Sequence, residues 1–137
     1  MTTDECASLL RGPNPVVLLP VGSTEPHGPH LPLATDAILS ERTCEIAAER
    51  LRARDVTAVV APALPYGVTR YAAEFAGAVS LSPETTARVV EELLAGWVAA
   101  GFARACVVNN HLEPEHVEAL AAAVSYTHLT LPTNREV

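Results

Sequence analysis

Two short apolar runs, Val16–Leu19 and Ala105–Val108, each break directly into a segment carrying carboxylates and imidazoles. An apolar run without polar alternation is the pattern of a strand covered on both faces, as in a parallel sheet between helices. The first run leads into Gly22-Ser-Thr-Glu-Pro-His-Gly-Pro-His, which brings Glu25, His27 and His30, with Asp36 following. The second leads into Asn109-Asn110-His111-Leu112-Glu113. Ligands of open α/β sheets gather at the carboxyl ends of the strands. The spacing therefore predicts that both segments feed one site, and mixed imidazole and carboxylate ligands suit Zn²⁺ or Mn²⁺.

The rest of the chain supports that architecture. Strands are expected over Val16–Val21, Val56–Ala61 and Ala103–Val108. A first short helix spans Thr2 to Leu10, capped by Thr3 or Asp4. A second runs from Asp36 to Arg54, with Ile38, Ile46, Ala47 and Leu51 as its apolar stripe. Ser82-Pro83-Glu84 opens a third with a cap, a first-turn proline and an acid at the positive end of the dipole. It ends at Gly101, and a fourth helix covers Pro114 to Ala123. Alternating strands and helices predict a three-layer α/β/α fold with a mostly parallel sheet. Residues 62–78 form a long irregular connection, a length usually tied to function.

Composition excludes several roles. The formal charge is −7, and all nine basic residues are Arg. A nucleic-acid partner needs clustered positive charge, which is missing here. No charged segment followed by an apolar run marks a signal peptide, and no stretch reaches the roughly 20 apolar residues of a membrane span. A cytoplasmic location is expected. Cys6, Cys44 and Cys106 are odd in number and lack C-x-x-C spacing, so buried free thiols are expected.

Each candidate has a plainer explanation beside it. Asp36 follows Thr35 at a helix start, where an ordinary N-cap would account for either residue. Glu113 precedes Pro114 at another helix start, where Ser, Thr, Asp or Asn caps better, so its presence points to another task. His30 reads as a supporting or structural residue, His116 as a helix-surface residue, and Trp97 as core or interface. Tyr66 is a candidate substrate contact, and Gly22 and Gly28 are expected to serve turns close to the metal.

The segment LPVGSTEPHGPHLPLATD resembles the signature of the creatininase (creatinine amidohydrolase) family, which usually has Gln where this chain has Pro26. The resemblance continues through Pro65-Tyr66-Gly67, Phe75–Leu81 and Val107–Glu113. It implies a dinuclear metal hydrolase that cleaves non-peptide or small cyclic amide bonds, with Glu25, His27, Asp36, His111 and Glu113 as ligands. Asp36 would bridge two divalent ions, Zn²⁺ and/or Mn²⁺. Glu25 and His111 would complete one site, and His27 and Glu113 the other. Asp36 and Glu113 are the catalytic candidates. Two ions about 3.5–4 Å apart would activate the water that attacks the amide carbonyl. A small-molecule amide substrate and a homo-oligomer at full length are likewise implied. Where relatives often carry a His between Gly67 and Phe75, this chain has Ala72, and many relatives replace His-x-Glu by a glycine-rich motif. Family chains are about twice this length, and their second half supplies a proton-accepting His and a substrate-closing Trp.

Residues 1–123 are accordingly read as the N-terminal part of an incomplete creatininase-like domain. Residues 124–137, VSYTHLTLPTNREV, break sharply in composition, and back-translation resembles the adapter of transposase-made sequencing libraries. They are read as a non-native, irregular tail, and His128 is not a catalytic candidate. Other readings are a non-catalytic metal-binding or oligomer-forming subunit and a mycofactocin-type peptide-processing hydrolase.

Overall fold

The computed structural model describes residues 1–130. In chain order the elements are α1 (Thr3–Leu10), β1 (Val16–Val21), α2 (Thr35–Arg52), β2 (Ala58–Val60), α3 (Pro83–Ala99), β3 (Arg104–Asn109) and α4 (Pro114–Thr130). The three strands form a parallel sheet in the order β2-β1-β3. This is the expected α/β class. Pairing with β3 runs the length of β1, from Val16↔Arg104 to Val21↔Asn109, whereas pairing with β2 stops at Leu18↔Val60. Pro20, two residues further along β1, has no N–H to continue a ladder.

Alternate residues of β1 serve the two faces of the sheet. Val17, Leu19 and Val21 enter one cluster with Val90 and Leu94 of α3, Phe102, and Leu120 and Ala123 of α4. Leu18 faces the other way, with Cys44 and Ala48 of α2. Helices therefore cover both faces. The first cluster is the larger: burying a side chain such as Val17, Leu19 or Val21 contributes about 1.5–3 kcal/mol.

The α2 layer departs in part from the sequence expectation: Ala47 and Leu51 pack half-buried against the second cluster as expected, but the two isoleucines do not. Ile38 and Ile46 are exposed, and the sheet-facing positions are Ala37, Ser40, Cys44 and Ala48. The cause is close approach. A Cβ on Gly22 would lie 2.5 Å from the Ala37 nitrogen, so β1 ends almost against the α2 backbone. Only small side chains fit that gap, and Ser40 uses it to donate from Oγ to the Val21 carbonyl at 2.6 Å.

The termini of the helices follow local chemistry. Thr2, rather than Thr3 or Asp4, caps α1 in a reciprocal box with Glu5. Ser82 caps α3 by accepting from the Thr85 amide, with Pro83 in the first turn. The expectation of buried thiols holds for Cys44, which burial pushes up to about 11. It fails for Cys106, which is exposed, and for Cys6, which is half-buried. Cys106 pairs with Leu18 and lies on β3, one of the two edge strands of the sheet.

The predicted irregular tail is also corrected in part. α4 continues through Thr130, and Val124 packs, half-buried, against the larger cluster. Once a helix is nucleated, adding residues is cheap, and nothing from Ser125 to Thr130 is Gly or Pro. The expectation for residues 131–137 lies outside the described residues, as do the Tyr126, His128 and Leu129 side chains. No described helix is long and apolar enough to cross a membrane.

Candidate metal centre

Beyond Val21 the chain turns over the start of α2 and returns as an irregular loop that ends at Thr35. Leu33 O accepts from the Glu25 amide at 3.0 Å, closing the loop on itself. Asp36 is the second residue of α2 and is buried, so Glu25, His27 and Asp36 come from one short stretch. The end of β3 delivers His111 and Glu113, both buried. The structure brings these five residues together. Ligand atoms of Glu25, His27 and Asp36 lie within 4.8 Å of one another, and so do those of Glu25, His111 and Glu113.

Asp36 sits between the two imidazoles. Its Oδ1 is 2.9 Å from His27 Nε2 and its Oδ2 is 3.0 Å from His111 Nδ1. Glu25 Oε1 is 3.1 Å from the same His111 nitrogen. Glu25, rather than Asp36, is the residue common to both triads, and His27 and Glu113 fall in different triads rather than one, while Asp36 turns one oxygen to each imidazole. Ala34 occupies the N-cap position of α2 and no side chain caps it, so the plain capping explanation of Asp36 fails.

The outer ring nitrogens test whether a cation fits. His111 Nε2–H donates to the Val68 carbonyl at 2.7 Å, and His27 Nδ1–H donates to the Glu25 carbonyl at 3.0 Å. In a neutral ring such a bond fixes the tautomer and leaves the other nitrogen able to act as a ligand. His27 Nε2 lies within hydrogen-bonding distance of Asp36 Oδ1 at 2.9 Å, whereas Asp36 Oδ2, 3.0 Å from His111 Nδ1, is buried without a hydrogen bond. A cation among these atoms would satisfy that buried oxygen. The donor set, two imidazoles and three carboxylates, is one that Zn²⁺ and Mn²⁺ accept.

The family profile described as creatinine amidohydrolase matches residues 1–135. The chain belongs to the creatininase family. It is 42% identical over 113 residues to the mycofactocin precursor peptide peptidase of Mycolicibacterium smegmatis, covering 81% of this chain and 44% of that one. It is 31% identical over 103 residues to the creatinine amidohydrolase of Pseudomonas putida, covering 72% and 38%. A solved manganese creatininase superposes with a TM-score of 0.82 at 25% identity, over 94% of this chain and 49% of its own. The chain thus spans less than half the length of the curated relatives it matches.

Several parts of this creatininase-family site escape a reading by sequence. Thr69 Oγ1 donates to Glu25 Oε2. Both oxygens of Glu113 accept from the Arg70 amide at 2.9 Å, and Oε2 also accepts from the Tyr71 amide at 3.3 Å. Those donors belong to the 62–78 connection, which therefore is the third wall of the site. The Asn109 amide clamps the His111 backbone at both ends, accepting from its N–H at 3.0 Å and donating to its carbonyl at 2.6 Å.

His116 is not on the helix surface as expected but wholly buried, its ring edge-on to His111 with centroids 4.8 Å apart. Burial, and secondarily the neighbouring His111, push its imidazole down to about 4. The vacant side of Gly67 makes the room, since a Cβ there would lie 2.2 Å from the His116 ring. His30 is exposed and joins neither triad. Tyr66 is also exposed.

Proposed function

We propose that the chain carries the metal-binding part of a divalent-metal-dependent amidohydrolase that breaks a C–N bond with two ions, Zn²⁺ and/or Mn²⁺. The observation that carries this reading is the convergence of His27 and His111 on the two Asp36 oxygens, with Oδ2 buried without a hydrogen bond and Glu25 shared between the triads. Glu25, His27, Asp36, His111 and Glu113 would hold the ions. When bound, such ions polarise an amide carbonyl and lower the pKa of a water to near neutrality.

The protein's own groups supply orientation. Val68 O and Glu25 O hold the outer edges of the two imidazoles. The Thr69 hydroxyl takes one oxygen of Glu25 and leaves Oε1 facing inward. The amides of Arg70 and Tyr71 fix the Glu113 carboxylate in a buried position. Groups held this way need little reorganisation as charge develops on the substrate.

A peptide amide is the substrate class we favour over a small cyclic amide. The higher identity to the mycofactocin peptidase, 42% against 31% for the creatinine amidohydrolase, supports it. So do Leu31, Leu33, Tyr71 and Phe75, all exposed on the loops that carry the site and suited to apolar side chains of a peptide. A homo-oligomer in the cytoplasm belongs to the same proposal, with Ile38, Leu39 and Ile46 of α2 as an apolar contact face.

The test begins with metal content of the chain dialysed against Zn²⁺ or Mn²⁺, expected to be two ions per molecule. A version extended to the relatives' length is then assayed on a mycofactocin precursor peptide and on creatinine. Failure to retain ions overturns the metal reading, and turnover of creatinine alone overturns the peptide assignment.

A further inference from the structure

We propose that His116 is a positioning residue for the metal centre, acting through the Val68 backbone on His111. The inference rests on the reading of His111 as a metal ligand. Four hydrogen bonds close a ring. His111 Nε2–H donates to Val68 O at 2.7 Å, and Val68 N–H donates to His116 Nδ1 at 3.2 Å. His116 Nε2–H donates to Asn109 Oδ1 at 3.2 Å, and the same oxygen accepts from the His111 amide at 3.0 Å.

The directions are forced by the backbone. An amide N–H can only donate, so His116 Nδ1 is the acceptor and its proton sits on Nε2. A carbonyl can only accept, so His111 carries its proton on Nε2 and presents Nδ1 to Glu25 and Asp36. The N–H and the carbonyl of one residue, Val68, which belong to successive peptide units, thus tie the two imidazoles together. Turning the His116 ring would release the Val68 N–H and let its carbonyl swing away from His111. The ring cannot move far, because Gly67 packs against it where any side chain would collide.

The bond pattern also separates positioning from simple packing. An apolar side chain of similar bulk fills the space but leaves the Val68 N–H and Asn109 Oδ1 without His116. An Asn at the position sets Oδ1 where Nδ1 stands, and so preserves the link to Val68.

Affinity for Co²⁺, measured by competition with a chelator and by the visible spectrum of the bound ion, provides a readout that needs no turnover. His116→Leu is expected to bind roughly 10–100-fold more weakly with an altered spectrum, as for other residues that orient a ligand. His116→Asn is expected to recover most of the affinity. Leu94→Ala, a core change remote from the ring, is expected to bind as the parent does. Parental affinity in His116→Leu, an equal loss in Leu94→Ala, or no recovery in His116→Asn would overturn the proposal.

Should His116→Leu fail to fold, hydrogen exchange on the unaltered chain decides. Coupling is reciprocal, so Zn²⁺ should slow exchange of the Val68 amide several-fold more than that of the Val90 amide in the core. Equal slowing at both overturns the proposal. If the unaltered chain binds no Co²⁺ or Zn²⁺ at all, the metal reading and this inference fall together. Binding that is indifferent to His116 removes the inference alone.

Discussion

Replacing Asp36 by Asn changes one charge and almost no volume at the point where the two imidazoles meet. Its oxygens lie 2.9 and 3.0 Å from His27 and His111, so the substitution takes an anionic ligand atom from each half of the centre. At a free-metal concentration a hundred times Kd, each filled site adds about 2.7 kcal/mol to stability. Two sites add about 5 kcal/mol, which for a domain of this size raises Tm by roughly 15–20 °C. The variant should lose at least half of that rise and bind at most one ion. The other role open to Asp36 is favourable charge in the first turn of α2, worth about 0.3–1 kcal/mol with or without metal. Thermal melts at pH 8 in chelator and in excess Zn²⁺, with ions counted by atomic emission, separate the two. Two retained ions with a full metal-dependent rise in Tm would refute the bridging role.

Two further outcomes follow from the packing. Gly22→Ala places a methyl 2.5 Å from the Ala37 nitrogen and 2.8 Å from the Asp36 carbonyl carbon, and backbone on both sides cannot yield cheaply. A loss of about 2–4 kcal/mol in denaturant unfolding is expected, in line with overpacking of a tight contact, and a change under 0.5 kcal/mol would count against the close approach. His116 is held neutral in the fold, where its pKa is about 4 against 6.5 when free. The unfolded chain therefore takes up the proton first. This contribution is fully present above about pH 6.5 and is lost as pH falls toward 4, at a cost of up to about 3 kcal/mol. In chelator, His116→Asn should show a shallower fall of stability over that range, and parallel curves for the two proteins would refute the buried neutral imidazole.

What could be read in advance was what local chemistry decides. The apolar runs at Val16–Leu19 and Ala105–Val108 marked β1 and β3, and the Ser82-Pro83 start of α3 needs no tertiary information. Glu25, His27, His30, Asp36, His111 and Glu113 were visible as candidates because they follow strands at positions where a parallel sheet delivers side chains. The resemblance to the creatininase signature selected five of them and set His30 aside. What escaped was set by partners far along the chain. Thr69 reaches Glu25 and His116 reaches Val68 only after the 62–78 connection has folded over the site. Periodicity alone places Ile38 and Ile46 inward on α2, and the approach of Gly22 reverses that by admitting only small residues. The continuation of α4 past Ala123 reflects propagation from a formed helix, which a composition break does not interrupt.

The two triads differ in how much of the fold they need. Glu25, His27 and Asp36 belong to one loop and the first turn of α2, so they can meet as soon as that short stretch is ordered. Glu25, His111 and Glu113 meet only after β3 has docked along β1, a parallel pairing that closes a long stretch of intervening chain and is slow for that reason. On the two-ion proposal, an ion captured by the local triad would precede closure of the sheet and bias the loop toward its final shape, and the second position would open only at the end. Ion supply during synthesis would then be a kinetic variable, and loading order would follow the order in which the chain closes.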